Sequence, residues 1–323
     1  MSVREKLLWA AGAVLLVFLY LASSTDLIIK EREVQIHPVS IILDDVNDAY
    51  YQNFKKGVDQ AARDYYADTS FTTLYDDISQ EQQLQLIRRE IEDGAEAVVV
   101  VPVNGEQLDQ GLAEERSQVP LIVMAPGSLE NAVRARICVD GAGAGQMLAE
   151  EAAEELPENT SFYLLASDLR SGDAKMVLEG VCRVLDEENA EYELGEWDGE
   201  TDRLQAFIRT AASGKEPAAL IALDKESLTE TAQILKNGED LKSRLAGVYG
   251  MGSNTSVLGS LESGIIDGLV TFDQYSAGYL SVEKAVEAIR DSRSGGTVQM
   301  DCFYITSENM RDKKYETMLY PME

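Results

Sequence analysis

Two spacings alternate along this chain. Short runs of branched apolar residues without a helical period, at 39–43, 97–101 and 219–223, read as buried parallel strands. Between such runs, apolar residues recur at three- and four-residue steps. After the first run, a polar break over 44–48 leads into Tyr51, Phe54, Val58 and Ala61, the stripe of an amphipathic helix. The same reading predicts strands over 71–75, 120–124 and 135–139, with helices over 80–93 and 108–116. A second set follows, with strands over 161–166, 192–197, 245–249 and 268–272 beside the run at 219–223. Its helices are predicted over 141–156, 173–188, 203–213, 225–236, 256–263 and 277–290, and a closing strand over 298–305. Strict β/α alternation implies parallel sheets covered on both faces. Two successive sets of about five units imply an α/β protein of two doubly wound, Rossmann-like lobes.

Ligands of open α/β sheets sit at the carboxyl ends of the strands, so the loop after Leu43 is the first candidate site. Tyr50 and Tyr51, following Asn47 and Asp48, put flat apolar faces beside hydrogen-bonding groups, a combination suited to gripping a small molecule. The same two rings are equally suited to packing the start of the helix, and the pattern leaves both readings open.

The amino-terminal segment stands apart. Arg4 and Lys6 precede a nearly uninterrupted apolar run over 7–22, followed by Ser23, Ser24, Thr25 and Asp26. Sixteen residues are long for a signal-peptide core and slightly short for a full membrane span. The basic side stays in the cytoplasm, which puts the bulk of the chain outside the membrane. Residues 1–30 are read as a signal anchor, with cleavage after Ala22-x-Ser24 as the alternative, and the polar stretch 31–38 as a linker. No cysteine lies near the end of the run for lipid attachment.

Length and charge narrow the function classes. A chain of 323 residues accommodates two ordinary domains. A formal net charge of −29 argues against a nucleic-acid surface, because a polyanion would be repelled. Cys138, Cys182 and Cys302 are far apart without C-x-x-C spacing, which disfavours a disulfide framework and a zinc site. The single histidine, His37, falls in the linker, so serine–histidine and cysteine–histidine catalysis lack a base in the folded part. No G-x-S-x-G elbow is present. The run Gly141-Ala-Gly143-Ala-Gly145-Gln146 fails the dinucleotide spacing and lacks a Walker lysine; close packing of a helix start against the sheet explains it better. Asp44-Asp45 and Asp76-Asp77 fall at strand ends but lack calcium-loop spacing, and capping of helix starts is the better account. No cofactor and no metal are expected.

Several motifs in fixed order resemble a known family. They are Asn47-Asp48-Ala49-Tyr50-Tyr51 after the first strand, Gly94 through Pro102 with its polar loop, and Val119-Pro120-Leu-Ile-Val. Val139-Asp140-Gly141 and Gly264-Ile-Ile-Asp-Gly268 complete the set. Over about residues 38–310 the chain resembles the type I periplasmic solute-binding proteins, in particular the ribose- and galactose-binding branch. Cytoplasmic repressors of this fold carry a helix-turn-helix where this chain has its apolar segment.

The resemblance implies two lobes joined by three crossover strands, with a ligand held in the cleft. Lobe one would comprise 38–139 plus 274–302, and lobe two 140–273 plus 303–323. Crossovers would fall near 138–140, 273–274 and 301–303. Matching positions put Asp48 in place of the first-loop amide, now acidic, and make Tyr50 and Tyr51 the stacking aromatics, Asp140 a hinge carboxylate, and Lys175 the counterpart of a sugar-binding arginine. Asp224 and Asp273 would replace an asparagine and a glutamine, Met251 an aspartate, and Trp197 is a candidate wall of the cleft. Val101, Ala125 and Pro126 stand where the sugar binders carry polar groups. Sugar recognition relies on bidentate carboxylates and arginines, so ribose and galactose are not expected. A ligand carrying an amine or a ring is expected instead, or a cleft used for partner contact.

The function expected is an extracytoplasmic solute-binding protein, membrane-anchored (or secreted if cleaved) and monomeric. It would present a small ligand to an ABC transporter permease or a sensor histidine kinase. The alternative is a membrane-tethered interaction module with a degenerate cleft. A glycan hydrolase lacks a recognisable acid and nucleophile pair, so no enzyme is expected. Tyr51, as a cleft aromatic, is expected to be mostly exposed when the lobes are apart.

Overall fold

A computed structural model describes residues 2–24, 35–43, 51–74, 79–112, 118–127, 129–130, 132–167, 169, 172–197, 199–238, 240–291, 293 and 295–320. The chain divides into two compact units, Met1–Ile36 and His37–Glu323. The first is built on helix α1 (Val3–Ser24), whose apolar side chains, Leu8 and Phe18 among them, are exposed. Its first turn carries Arg4, Glu5 and Lys6. Among the described residues no helix is long and apolar enough to cross a membrane. The transmembrane form of the expected signal anchor is therefore not shown: an apolar run of sixteen residues extends roughly 24 Å as a helix, short of a bilayer core of about 30 Å.

The second unit holds two sheets of the same design. The first contains β1 (His37–Leu43), β2 (Ala67–Thr73), β3 (Ala97–Val100), β4 (Leu121–Val123), β5 (Val133–Val139) and β11 (Gly296–Met300), in the order β11-β5-β4-β3-β1-β2. The second contains β6 (Ser161–Ala166), β7 (Tyr192–Glu196), β8 (Ala218–Ala222), β9 (Gly247–Met251), β10 (Gly268–Phe272) and β12 (Cys302–Thr306), in the order β12-β10-β9-β8-β6-β7. All pairings are parallel except that of β12 with β10, which departs from the all-parallel expectation. The helices are α2 (Gln52–Tyr65), α3 (Gln80–Glu92), α4 (Gly105–Leu112), α5 (Gly141–Glu155) and α6 (Gly172–Glu187). They continue with α7 (Thr201–Ala211), α8 (Lys225–Asn237), α9 (Thr255–Glu262), α10 (Gln274–Arg290) and α11 (Lys313–Leu319).

Both sheets follow one doubly wound order, with strand order reversing between β1 and β3 and between β6 and β8. The reversal opens a crevice at the carboxyl ends of those strands. The central strands read as unbroken apolar runs because helices cover both faces: Val39 pairs with Ala97 and Ile42 with Val100, all four buried.

The chain leaves one sheet for the other between Val139 and Gly141, between Phe272 and Gln274, and between Met300 and Cys302. The expected single closing strand over 298–305 is thus two strands in different sheets, broken at Asp301. Periodicity could not reveal the break, because both halves alternate alike. His37 is not linker: it opens β1, is buried, and its Nδ1 lies 2.7 Å from Glu96 Oε2. It sits at the amino end of the strand, the end opposite the crevice. Strand β2 begins four residues before the predicted start at Phe71, and α11 was not foreseen.

One helix pair in each lobe makes a backbone-close seam, α2 with α10 and α5 with α6. A methyl group at Gly57 would meet the Tyr275 carbonyl oxygen at 2.0 Å, and one at Gly278 the Phe54 carbonyl oxygen at 2.1 Å. In lobe two, Gly145 faces the Val177 carbonyl oxygen at 2.1 Å and Gly180 that of Ala142 at 2.0 Å. Within the 141–146 run, Gly145 and Ala142 therefore pack against the neighbouring helix, while Ala144 joins the buried cluster formed with the strands of the sheet.

Candidate ligand-binding site

The carboxyl ends of both sheets close around a cavity of about 390 Å³, within the range of small-molecule sites. Lobe one supplies Tyr51 and Phe54 from the start of α2, Val101 to Val103 after β3, and Met124 to Pro126 after β4. Lobe two supplies Ser167 after β6, Leu223 to Glu226 at the start of α8, and Met251 and Gly252 after β9. The crossover segments add Cys138, Thr271, Phe272, Gln274 and Met300.

Buried polar side chains hold the lobe-one loops in place. Gln83 has no exposed surface; its amide donates to the Val101 carbonyl (2.8 Å) and accepts the Val103 N–H (3.2 Å). Gln80 accepts the Asn104 N–H at 2.8 Å and donates to Gln83 at 2.9 Å. Arg136, also fully buried, donates to the Ala125 carbonyl (3.3 Å), the Pro126 carbonyl (3.1 Å) and the Asp109 carboxylate. A buried guanidinium is tolerated only when paired and hydrogen-bonded, and here the cost fixes the wall loop after β4. The wall it positions presents the apolar residues Met124, Ala125 and Pro126.

The lobe-two groups are similarly engaged. Asp224 caps α8: its Oδ1 accepts the Ser227 N–H (2.8 Å) and its Oδ2 the Ser167 N–H (2.7 Å). Thr271 and Ser253 share a hydrogen bond of 2.7 Å between buried hydroxyls. Contacts among the described residues bridge the lobes. The Lys225 ammonium sits 4.7 Å from the centroid of the Tyr51 ring, a cation–π geometry, while it also lies 3.5 Å from Glu226. Asn53 donates to the Leu319 carbonyl at 2.9 Å, and Gln274 reaches Ser253 at 3.5 Å. At the third crossover, burial pushes the Cys302 thiol up to about 12, with the Asp140 and Asp301 carboxylates adding to it.

Of the residues singled out from the sequence, the structure brings Tyr51, Asp224 and Met251 together around the cavity. Asp48 and Tyr50, like the paired aspartates at 44–45 and 76–77, lie outside the described residues. Asp140 and Asp273 cap α5 and α10, accepting the Gly143 N–H (2.9 Å) and the Ser276 N–H (3.0 Å), and do not line the cavity. Lys175 is exposed on α6. Trp197 packs against the lobe-two core, its indole N–H buried with no hydrogen-bond partner among the described residues. Tyr51 is 6 % exposed and belongs to the lobe-one core as well as the cavity, so the two readings of this ring hold together. Lys225, Gln274, Met124, Met176 and Met300 were not singled out. Lys225 had a signal in its place directly after the Asp224 cap, whereas the methionines had none.

The family model of the periplasmic binding protein domain matches residues 39–293. The chain belongs to the periplasmic binding protein family and has its type I fold. Among solved structures it resembles an ABC transporter solute-binding protein from Agrobacterium vitis bound with α-D-tagatopyranose: TM-score 0.78, 17% identity, covering 88% of this chain and 100% of that one. It also resembles one from Bacillus halodurans bound with myo-inositol: TM-score 0.74, 18% identity, covering 89% and 99%. At such identities the likeness concerns the fold. No curated protein matches the sequence.

Proposed function

We propose that the protein is an extracytoplasmic solute-binding protein that holds a small molecule between its lobes and presents it to a membrane partner, an ABC importer or a sensor kinase. The observation that carries this reading is the cavity of about 390 Å³ at the carboxyl ends of both sheets, walled by both lobes. A ligand touching both walls favours the closed arrangement by its differential contacts, which couples binding to a signal a partner can read. The apolar helix α1 supports retention at the membrane, with Arg4 and Lys6 snorkelling to the interface. Chains of the same fold bind a ketohexose and a cyclic polyol, which keeps those classes in the test.

A second reading, an interaction module needing no ligand, is favoured by one observation: Lys225 on Tyr51 and Asn53 on Leu319 already bridge the lobes. Thermal-shift titration of the full chain in lipid nanodiscs against sugars, polyols, amino acids, nucleosides, polyamines and ring compounds separates the two. A ligand at one hundred times its dissociation constant adds about 2.7 kcal/mol, a shift of a few degrees. A flat screen would leave the interaction module.

A further inference from the structure

We propose that the cavity takes a planar, largely apolar ring compound rather than a sugar or polyol. This rests on the reading of the cleft as a ligand site. Four of the chain's nine methionines, Met124, Met176, Met251 and Met300, stand in the wall that the described residues form. They come from both lobes and from a crossover, so the thioethers surround the space instead of clustering on one side. Thioethers are polarisable, adapt their rotamers to shape, and make favourable contacts with aromatic ring edges. Phe54 and Phe272 add aromatic surface to the same wall.

The polar inventory points the same way. Each hydroxyl a ligand buries needs a partner, and one left unmet costs about 1–3 kcal/mol. Both oxygens of Asp224 accept backbone N–H groups, Thr271 is bonded to Ser253, and the carbonyls of Val101, Ala125 and Pro126 are held by Gln83 and Arg136. Among the described residues, a pyranose with a hydroxyl on most ring carbons would have to share these oxygens with their present donors, leaving Ser167, Lys225, Glu226 and Gln274 among the other polar side chains of the wall. A flat apolar ring asks for few of them and meets thioether surface from both lobes.

The test uses the full chain in lipid nanodiscs with 13C-methyl-labelled methionine, titrated with toluene and indole, and separately with D-galactose, D-ribose and myo-inositol. Each cavity methyl is assigned by its loss in the corresponding single Met→Leu variant. Toluene or indole is expected to move the methyl signals of Met124, Met176, Met251 and Met300 by ring-current shifts. The buried core methionine Met310 should stay fixed, and the polyols should leave the spectrum unchanged. M251Q should weaken ring binding by about tenfold, the loss expected when an amide is buried without a partner. Movement of the four methyls by a polyol and not by the rings would overturn the ligand class while leaving the receptor reading intact. Silence toward both sets would overturn the ring-compound assignment, and the receptor reading would fall only if the wider thermal-shift screen were flat as well. Ring binding by M251Q as tight as by the unmodified protein would show that the thioether wall is not the recognition surface.

Discussion

Arg136 has no exposed surface, yet it carries a charge. Its place is explained by the carboxylate of Asp109, which balances its charge, and by the carbonyls of Ala125 and Pro126, which accept its other N–H groups and so anchor a cavity wall. Removing one partner of such a set leaves the other charge and the carbonyls unpaired. Arg136→Leu is therefore expected to lose about 3–5 kcal/mol of unfolding free energy, read by urea denaturation; a loss under 1 kcal/mol would contradict the assignment. Tyr51 combines core and cavity, so Tyr51→Ala should weaken ligand binding and also cost about 3 kcal/mol of stability, whereas Tyr51→Phe should keep the fold. Cys302 titrates with a raised pKa in the folded chain, above its unfolded value near 9. Its contribution is complete below pH 9 and is lost as pH rises toward 12, at no more than about 1.4 kcal/mol per pH unit. The stability difference between the unmodified protein and Cys302→Ala should accordingly narrow from pH 9 to pH 11 in urea melts.

At the scale of elements, the seams are legible only in part. The stripe Tyr51, Phe54, Val58 and Ala61 marks the buried face of α2 in the sequence, and the structure buries all four. The partner of that face, α10, lies more than two hundred residues away, and no local pattern names it. Gly57 and Gly278 mark the place where the two backbones touch. Gly57→Ala would push its methyl into the Tyr275 carbonyl and is expected to cost about 2–3 kcal/mol, seen as a lower urea midpoint with an unchanged slope. An unchanged midpoint would mean the helices can separate freely. The closing strand shows the opposite case: its composition is β-like throughout, but the break at Asp301 is decided by which sheet has a free edge on either side.

For the whole molecule, the bridge between lobes is the property to test. Lys225 and Tyr51 come from opposite walls, and their contact should hold the first turn of α2 against α8. Lys225→Met should speed hydrogen exchange of the amides after Tyr51 in the chain without ligand; unchanged exchange would show that the other contacts suffice to hold the lobes. The α/β class and the two sets of β/α units were readable from the order of apolar runs, because burial between helix layers imposes an apolar run on each central strand wherever it occurs. Which residues share the cavity was not readable that way. Asp140 and Asp273 look like ligand groups in the sequence but spend their carboxylates on helix starts, while the methionines that wall the space have no local signature. The alternation of strand and helix is a property of neighbouring residues and was determined by the sequence directly. The cavity is a property of segments brought together from 51 to 300 by three passages between sheets, and only the tertiary structure decided it.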